Sequence, residues 1–152
     1  MASSMILQNI SLTHYRNFRR EIIQPGLKFN IFWGDNGQGK TNLLEAIYLL
    51  SNLKSFRSSK TDELIKHGEK QANISAEIDK KGVLHQLSIG LATADKYYRV
   101  DGKNPASVGA FLGFFKTVLF APEEINLIKS FPAGRRSLID RAIFLPRLNI
   151  CN

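Results

Sequence analysis

The sequence predicts an α/β protein organised around a phosphate-binding loop, with an antiparallel β region attached to it. Three observations carry that prediction. Gly34-Asp35-Asn36-Gly37-Gln38-Gly39-Lys40-Thr41 satisfies the pattern G-x-x-x-x-G-K-S/T at every fixed position. A segment of alternating apolar residues runs into that motif, and a segment of helical apolar period leaves it. Downstream, three strand-like segments are separated only by short polar connections, which favours antiparallel pairing in a meander.

Met1-Ala-Ser-Ser, before Met5, reads as an expression remnant or an alternative start and stands outside the fold argument. From Met5 to Tyr15, Ile6, Ile10, Leu12 and β-branched Thr13 predict a first strand, with Ile10 and Leu12 on one face. A basic, aromatic segment follows, Tyr15 to Arg20, and Pro25-Gly26 marks a turn. Leu27, Phe29 and Ile31 alternate with Lys28 and Asn30, predicting a second strand that leads through Phe32-Trp33 into the loop. The helix after the loop is expected from about Lys40 to Leu50, with Leu43, Leu44, Ile47 and Leu50 at helical spacing and Glu45 facing outward. A basic, serine-rich stretch from Asn52 to Gly68 reads as loop plus a short helix around Asp62–His67. The meander is expected from Ala72–Ile78, Val83–Leu91 and Tyr97–Val100, and Thr117–Phe120 is a further strand candidate. Pro122 is placed to open a helix through Ile128, and Pro132 one towards Phe144 that Pro146 stops.

With 152 residues the chain fits one domain with a real core. Residues 5–147 are expected to form the ATPase-type domain and 148–152 the start of a continuation. No apolar run approaches the ~20 residues of a membrane-spanning helix, and the N-terminus lacks the pattern of a secretory signal. Cys151 is the one cysteine, so an internal disulfide is excluded and a cytoplasmic location is expected. The balance of 21 basic against 13 acidic residues, +8 net, attracts phosphate-rich partners without by itself defining one.

The loop motif has a specific physical meaning. Its glycines let the backbone wrap close to phosphate oxygens in conformations that a β-carbon opposes. Successive N–H groups then form an anion nest, and the following helix presents its positive end to the same phosphates. Lys40 is placed to reach the β- and γ-phosphates, and Thr41 to ligate Mg²⁺. ATP with Mg²⁺ is the expected ligand. A hydrolytic site also needs a carboxylate on the metal side, and Glu123 and Glu124 after Pro122 match such a motif poorly. Leu87-Ser88-Ile89-Gly90 resembles a composite-site signature but sits inside a strand pattern. His14, His67 and His85 lack metal-cage spacing.

Lys54, Arg57, Lys60, Lys66 and Lys70 gather after the loop helix with few opposing acids, in a segment that also carries Ser55, Ser58 and Ser59. Two readings stand: a set of phosphate contacts to DNA, sequence-independent and salt-sensitive, or a solvated charged loop. Arg135, Arg136, Arg141 and Arg147 form a second basic cluster. Tyr97 and Tyr98 suit sheet packing better than base stacking.

Taken together, Asn9 to Phe18, Gly34 to Ile47, Ser55-Phe56-Arg57, Phe120-Ala121-Pro122-Glu123 and Gly134 to Asp140 resemble, in order, the sequence blocks of the RecF family. The first two blocks alone would indicate only the wider group of SMC-like and ABC-like ATPases. The resemblance implies a P-loop NTPase lobe of that type with an antiparallel β-subdomain, truncated before the helical arm and the C-terminal half of the ATPase. It implies an ATP-binding, DNA-binding protein of recombinational repair and replication. Such proteins form an ATP-dependent homodimer, associate with RecR and with single-strand and duplex DNA at gap junctions, and help to load RecA. It also implies that Asn42, Arg16 and Asn17 lie beside the nucleotide along with Gly34 to Thr41. For Arg16 a solvated loop arginine is the competing reading. Arg136 and Asp140, four apart, suit a helix-face ion pair better than catalysis. The rival functions are another SMC-like ATPase, a small P-loop kinase or phosphotransferase, and a DNA-binding scaffold without turnover. Hydrolysis by this stretch of chain alone is not expected.

Overall fold

The computed structural model describes residues 5–93 and 95–120. Two compact units divide the chain, Met1–Phe115 and Lys116–Asn152. Every helix and strand below belongs to the first unit; of the second, residues 116–120 are described and form neither. Both expected helices after Pro122, and the basic cluster at Arg135–Arg147, lie outside the described residues.

Strands β1 (Met5–Thr13), β2 (Arg20–Ile23), β3 (Gln71–Lys80), β4 (Val83–Ala92) and β5 (Lys96–Val100) make one sheet in the order β2-β1-β3-β4-β5. All four pairings are antiparallel. β1 carries a bulge between Leu7 and Asn9, where the register against β3 shifts. A bulge sets two residues against one and moves the side-chain alternation by one place. That shift lets Met5 and Leu7, at odd positions, pack on the same core as buried Ile10 and Leu12, at even ones.

The core face continues through Ala72, Ile74, Ala76 and Ile78 of β3 and Leu87, Ile89 and Leu91 of β4. Helix α1 (Lys40–Asn52) lies against β3 and β4, and helix α2 (Val108–Leu112) lies against β5 and α1. Leu43, Ala46, Leu49 and Leu50 form the buried stripe of α1, and Phe111 and Phe115 close the end nearer β5. Tyr98 packs on Phe111 at 5.1 Å, while the Tyr97 ring lies across Gly90, where a β-carbon would overlap it. Both tyrosines therefore pack against the sheet.

Several expectations change. The predicted strand over Leu27–Ile31 does not form. Phe29 and Ile31 are 93% and 86% exposed, and no strand among the described residues pairs with the segment. Alternation produces a strand only where a neighbour completes the ladder. Here the Asn30 side chain instead binds both backbone groups of Gly26, at 2.6 and 3.0 Å, and closes a local turn. Thr117–Phe120 likewise forms no strand. The short helix around Asp62–His67 reduces to a single 3₁₀ turn, Asp62–Leu64. β2 and α2 went unpredicted. β2 has only four residues, three of them exposed, and α2 has only five.

The largest correction concerns Glu45, which is fully buried rather than facing outward. Its carboxylate takes two hydrogen bonds from Arg16, from Nε at 2.9 Å and Nη2 at 2.7 Å, and a third from the Ser55 hydroxyl. Burial pushes the Glu45 carboxyl up, but the bonds from Arg16 and Ser55 and the Arg16 charge together hold it below the usual value. Arg16 also donates to the Glu63 carbonyl at 2.7 Å, and its own N–H goes to Leu64 O at 2.9 Å. The neighbouring Tyr15 hydroxyl is buried without a well-formed hydrogen bond; burial, then the Glu45 charge, pushes its phenol far up. A single side chain of α1 thus ties β1's exit segment to the 55–64 loop.

Because among the described residues each member's charge is paired only with the other's, Glu45→Gln or Arg16→Met should each destabilise the chain by about 3–5 kcal/mol. Arg16→Met/Glu45→Leu should recover much of that loss, read as urea midpoints. Singles costing under about 1 kcal/mol would contradict this account. Since the folded pKa of Glu45 is lowered, its contribution is present above the unfolded value of about 4.3. It is lost as pH falls through the lower folded value, so Glu45→Gln should flatten the acid limb of stability.

Candidate nucleotide site and the basic loop beside it

The loop motif crosses from exposed chain into the core at one residue. Gly34 to Gln38 are exposed, Gly39 is buried, and α1 starts at Lys40. Gly34, Gly37 and Gly39 hold φ of 140°, 85° and 102°, backbone that a side chain resists. Gly39 has a second constraint. A β-carbon there would come within 2.7 Å of the Phe18 ring and 2.8 Å of the Asn17 amide. Asn17 and Phe18 are thereby packed against the base of the loop.

Gly39 is the N-cap of α1, which has no side-chain cap and no acidic residue in its first turn. Its first N–H groups and the positive end of the helix dipole are left for an anion. Lys40 folds back over the loop, donating to Gly34 O at 2.7 Å and Asp35 O at 2.6 Å. A phosphate between loop and ammonium would replace these two carbonyls with charged acceptors, which bind an ammonium more strongly. Thr41 is exposed on the first turn, next to Lys40. These features suit a polyphosphate: an uncapped helix start, one ammonium resting on loop carbonyls and an exposed hydroxyl on the first turn.

The other expected site residues fall into two groups. Asn17 and Asn42 meet at the loop's base, where Asn42 Nδ2 donates to Asn17 Oδ1 at 2.8 Å. Arg16 is held by Glu45 and the Glu63 carbonyl, so its described contacts are with the core network rather than the loop. The amide oxygen of Asn42 accepts from Arg57 Nη1 at 2.8 Å, joining the loop helix to the basic stretch.

Of that basic stretch, Lys54, Arg57 and Lys60 line one cavity of about 580 Å³. Lys66 goes elsewhere, donating to Asn17 O at 2.8 Å, and Lys70 is exposed just before β3. A fourth cation of the cavity, Lys96, was missed by sequence reasoning. It lies 36 residues beyond Lys60, and only the pairing of β5 with β4 brings it there. Glu45 was missed too, although a lone acid among the apolar residues of α1 was the available signal. Leu87-Ser88-Ile89-Gly90 lies inside β4. Among the described residues no group of His, Cys, Asp and Glu is arranged to hold a metal, and no helix is long and apolar enough to cross a membrane.

Comparison with known proteins places this geometry. The chain is 45% identical over 139 residues to the DNA replication and repair protein RecF of Syntrophotalea carbinolica, covering 91% of this chain and 38% of that protein. It is 37% identical over 140 residues to the RecF of Geotalea daltonii, again covering 38% of the relative. The chain thus spans under two-fifths of the length of these curated relatives. A solved structure of the recombination mediator protein RecF-ATP of the RecFOR pathway superposes with a TM-score of 0.87 at 36% identity, over 94% of this chain and 40% of that one. The same mediator as RecF-ATPrS superposes at 0.85. The fold is therefore that of the RecF-type ATPase lobe, with the five-stranded antiparallel sheet as its β-subdomain. Residues 6–104 match the model of the RecF/RecN/SMC N-terminal domain, and the chain belongs to that family.

Proposed function

We propose that this chain is the ATP-binding part of a RecF-like protein of DNA recombination, repair and replication. The observation that carries it is the loop Gly34–Thr41. Three positive-φ glycines and an uncapped helix start lie beneath Lys40, in a chain that superposes on RecF-ATP over nearly its whole length. Backbone N–H groups of the loop and first turn bind phosphate oxygens. Lys40 neutralises them, Thr41 supplies a hydroxyl to Mg²⁺, and Asn42 and Asn17 hold the loop's base. Binding rather than turnover is the activity proposed for these residues.

DNA is the second ligand in this reading, met by its phosphates at Lys54, Arg57 and Lys60, with the wider basic stretch to Lys70 adding charge. The Asn17–Asn42–Arg57 hydrogen bonds connect the two sites physically. In the whole protein, ATP-dependent homodimerisation, association with RecR, help in loading RecA at gaps, and a cytoplasmic location belong to the same proposal. A RecF of the RecFOR pathway among the matched structures supports it.

Titration with a fluorescent ATP analogue and Mg²⁺ tests the first site. Lys40→Met should abolish saturable binding while the melting curve stays that of wild type, since the bonds lost are to exposed loop carbonyls. Retained affinity in the folded variant would remove the assignment. For the second site, wild-type affinity for a duplex should fall linearly with salt on logarithmic axes, and Arg57→Gln should reduce that slope by about 0.9. An unchanged slope would exclude Arg57 as a phosphate contact.

A further inference from the structure

Between the C-terminal end of α1 and the start of β5 lies the cavity of about 580 Å³, and one of its lining residues, Arg57, also reaches Asn42 in the first turn of α1. Its lining carries four cations, Lys54, Arg57, Lys60 and Lys96, and no carboxylate. Of the acids bonded to lining residues, Glu63 accepts the Ser58 hydroxyl at 2.5 Å, Glu45 is held by Arg16 and Ser55, and Asp95 accepts the backbone N–H of Lys96 at 2.7 Å rather than its ammonium.

Lys96 is the unusual member. It is half-buried, and its ammonium donates to the carbonyl of Leu53, the residue that ends α1. An ammonium carries three N–H donors, so two remain after that bond. Among the described residues no carboxylate pairs with it. Burial lowers its pKa, and the Lys54 charge lowers it further. A desolvated cation beside a like charge is unfavourable by itself and is relieved by an anion in the space they share.

We propose that this cavity seats a backbone phosphate of a nucleic-acid strand, with Lys96 as the inner cation and Lys54, Arg57 and Lys60 around its mouth. The inference rests on the DNA-binding reading above and adds a residue and a place to it. A strand, rather than a small anion, fits the arrangement of the mouth. Lys54, Arg57 and Lys60 are exposed and recur every third residue along one loop, so charge extends outward past the single phosphate that Lys96 would hold.

The test is fluorescence anisotropy of the whole chain with a labelled single-stranded oligonucleotide across a salt series. Lys96→Met should weaken binding about tenfold at low salt and reduce the slope of log affinity against log salt by about 0.7, the value for one single-strand phosphate contact. Lys96→Arg should retain the slope, as should Lys28→Met, an exposed cation on the Gly26–Asn30 turn. ATP-analogue affinity should be unchanged in Lys96→Met. Wild-type and Lys96→Met slopes that coincide would overturn this seat and leave the DNA reading standing; a wild-type chain that binds no oligonucleotide would overturn both. Competition by inorganic phosphate at constant ionic strength, lost in Lys96→Met without any change in the DNA slope, would show a small-anion site and also overturn the proposal. Should Lys96→Met fail to fold, the dimethyl-lysine resonance of Lys96 in the wild-type chain must shift on adding oligonucleotide, and its constancy would refute the contact.

Discussion

The two-pronged bond between Arg16 and buried Glu45 is the interaction on which the rest of this structure depends. It places a charge inside the core, which is unfavourable unless every acceptor is satisfied, and Ser55 completes the set. Satisfying it brings three separate parts of the chain together: the exit of β1, the middle of α1 and the loop after α1. The backbone is drawn along with the side chains. His14 and Arg16 both hold positive φ, and the segment is bridged to Leu64 and Lys66 through their main-chain groups.

From that fixed segment the nucleotide loop takes its base. With Arg16 anchored, Asn17 and Phe18 lie hard against Gly39, where no β-carbon fits. The glycine is therefore required twice, once for its left-handed backbone and once for the contact. The loop above it stays exposed, and its ammonium rests on carbonyls that a phosphate can displace. A packed floor under an exposed rim suits a ligand whose charge must be gathered without distorting the core.

α1 then works as a strut between two positively charged ends. Its N-terminus lacks any cap or acid, and its C-terminal carbonyl at Leu53 is met by Lys96. Cations at a helix C-terminus are ordinarily a matter of dipole compensation. Here the same amine borders a cavity of cations, so capping and anion capture use different N–H groups of one side chain. The Asn17–Asn42–Arg57 bonds run along the near end of the same helix, so loop, helix and basic stretch share one set of contacts.

Local patterns were legible wherever they were sufficient. The loop motif, the span of α1 and the three strands of the meander follow from short-range periodicity and turn residues, and the structure has them within a few residues. The bulge in β1 was not legible, because it exists only relative to β3. Leu27–Ile31 carries a strand's alternation without becoming one, since a ladder needs a partner and Asn30 offers its backbone a local substitute. Arg16, Asn42 and Arg57 were each visible as polar residues near the motif. What each one holds was settled by long-range neighbours: Arg16 holds Glu45, Asn42 holds Asn17, and Arg57 holds Asn42. By itself the sequence determined that a glycine-rich loop of the P-loop pattern sits between an apolar approach and an amphipathic helix, because that pattern is encoded within eight consecutive residues. Only the tertiary structure decided that Glu45 points inward and that Lys96 joins Lys54, since burial and like-charge proximity arise between residues that the sequence keeps far apart.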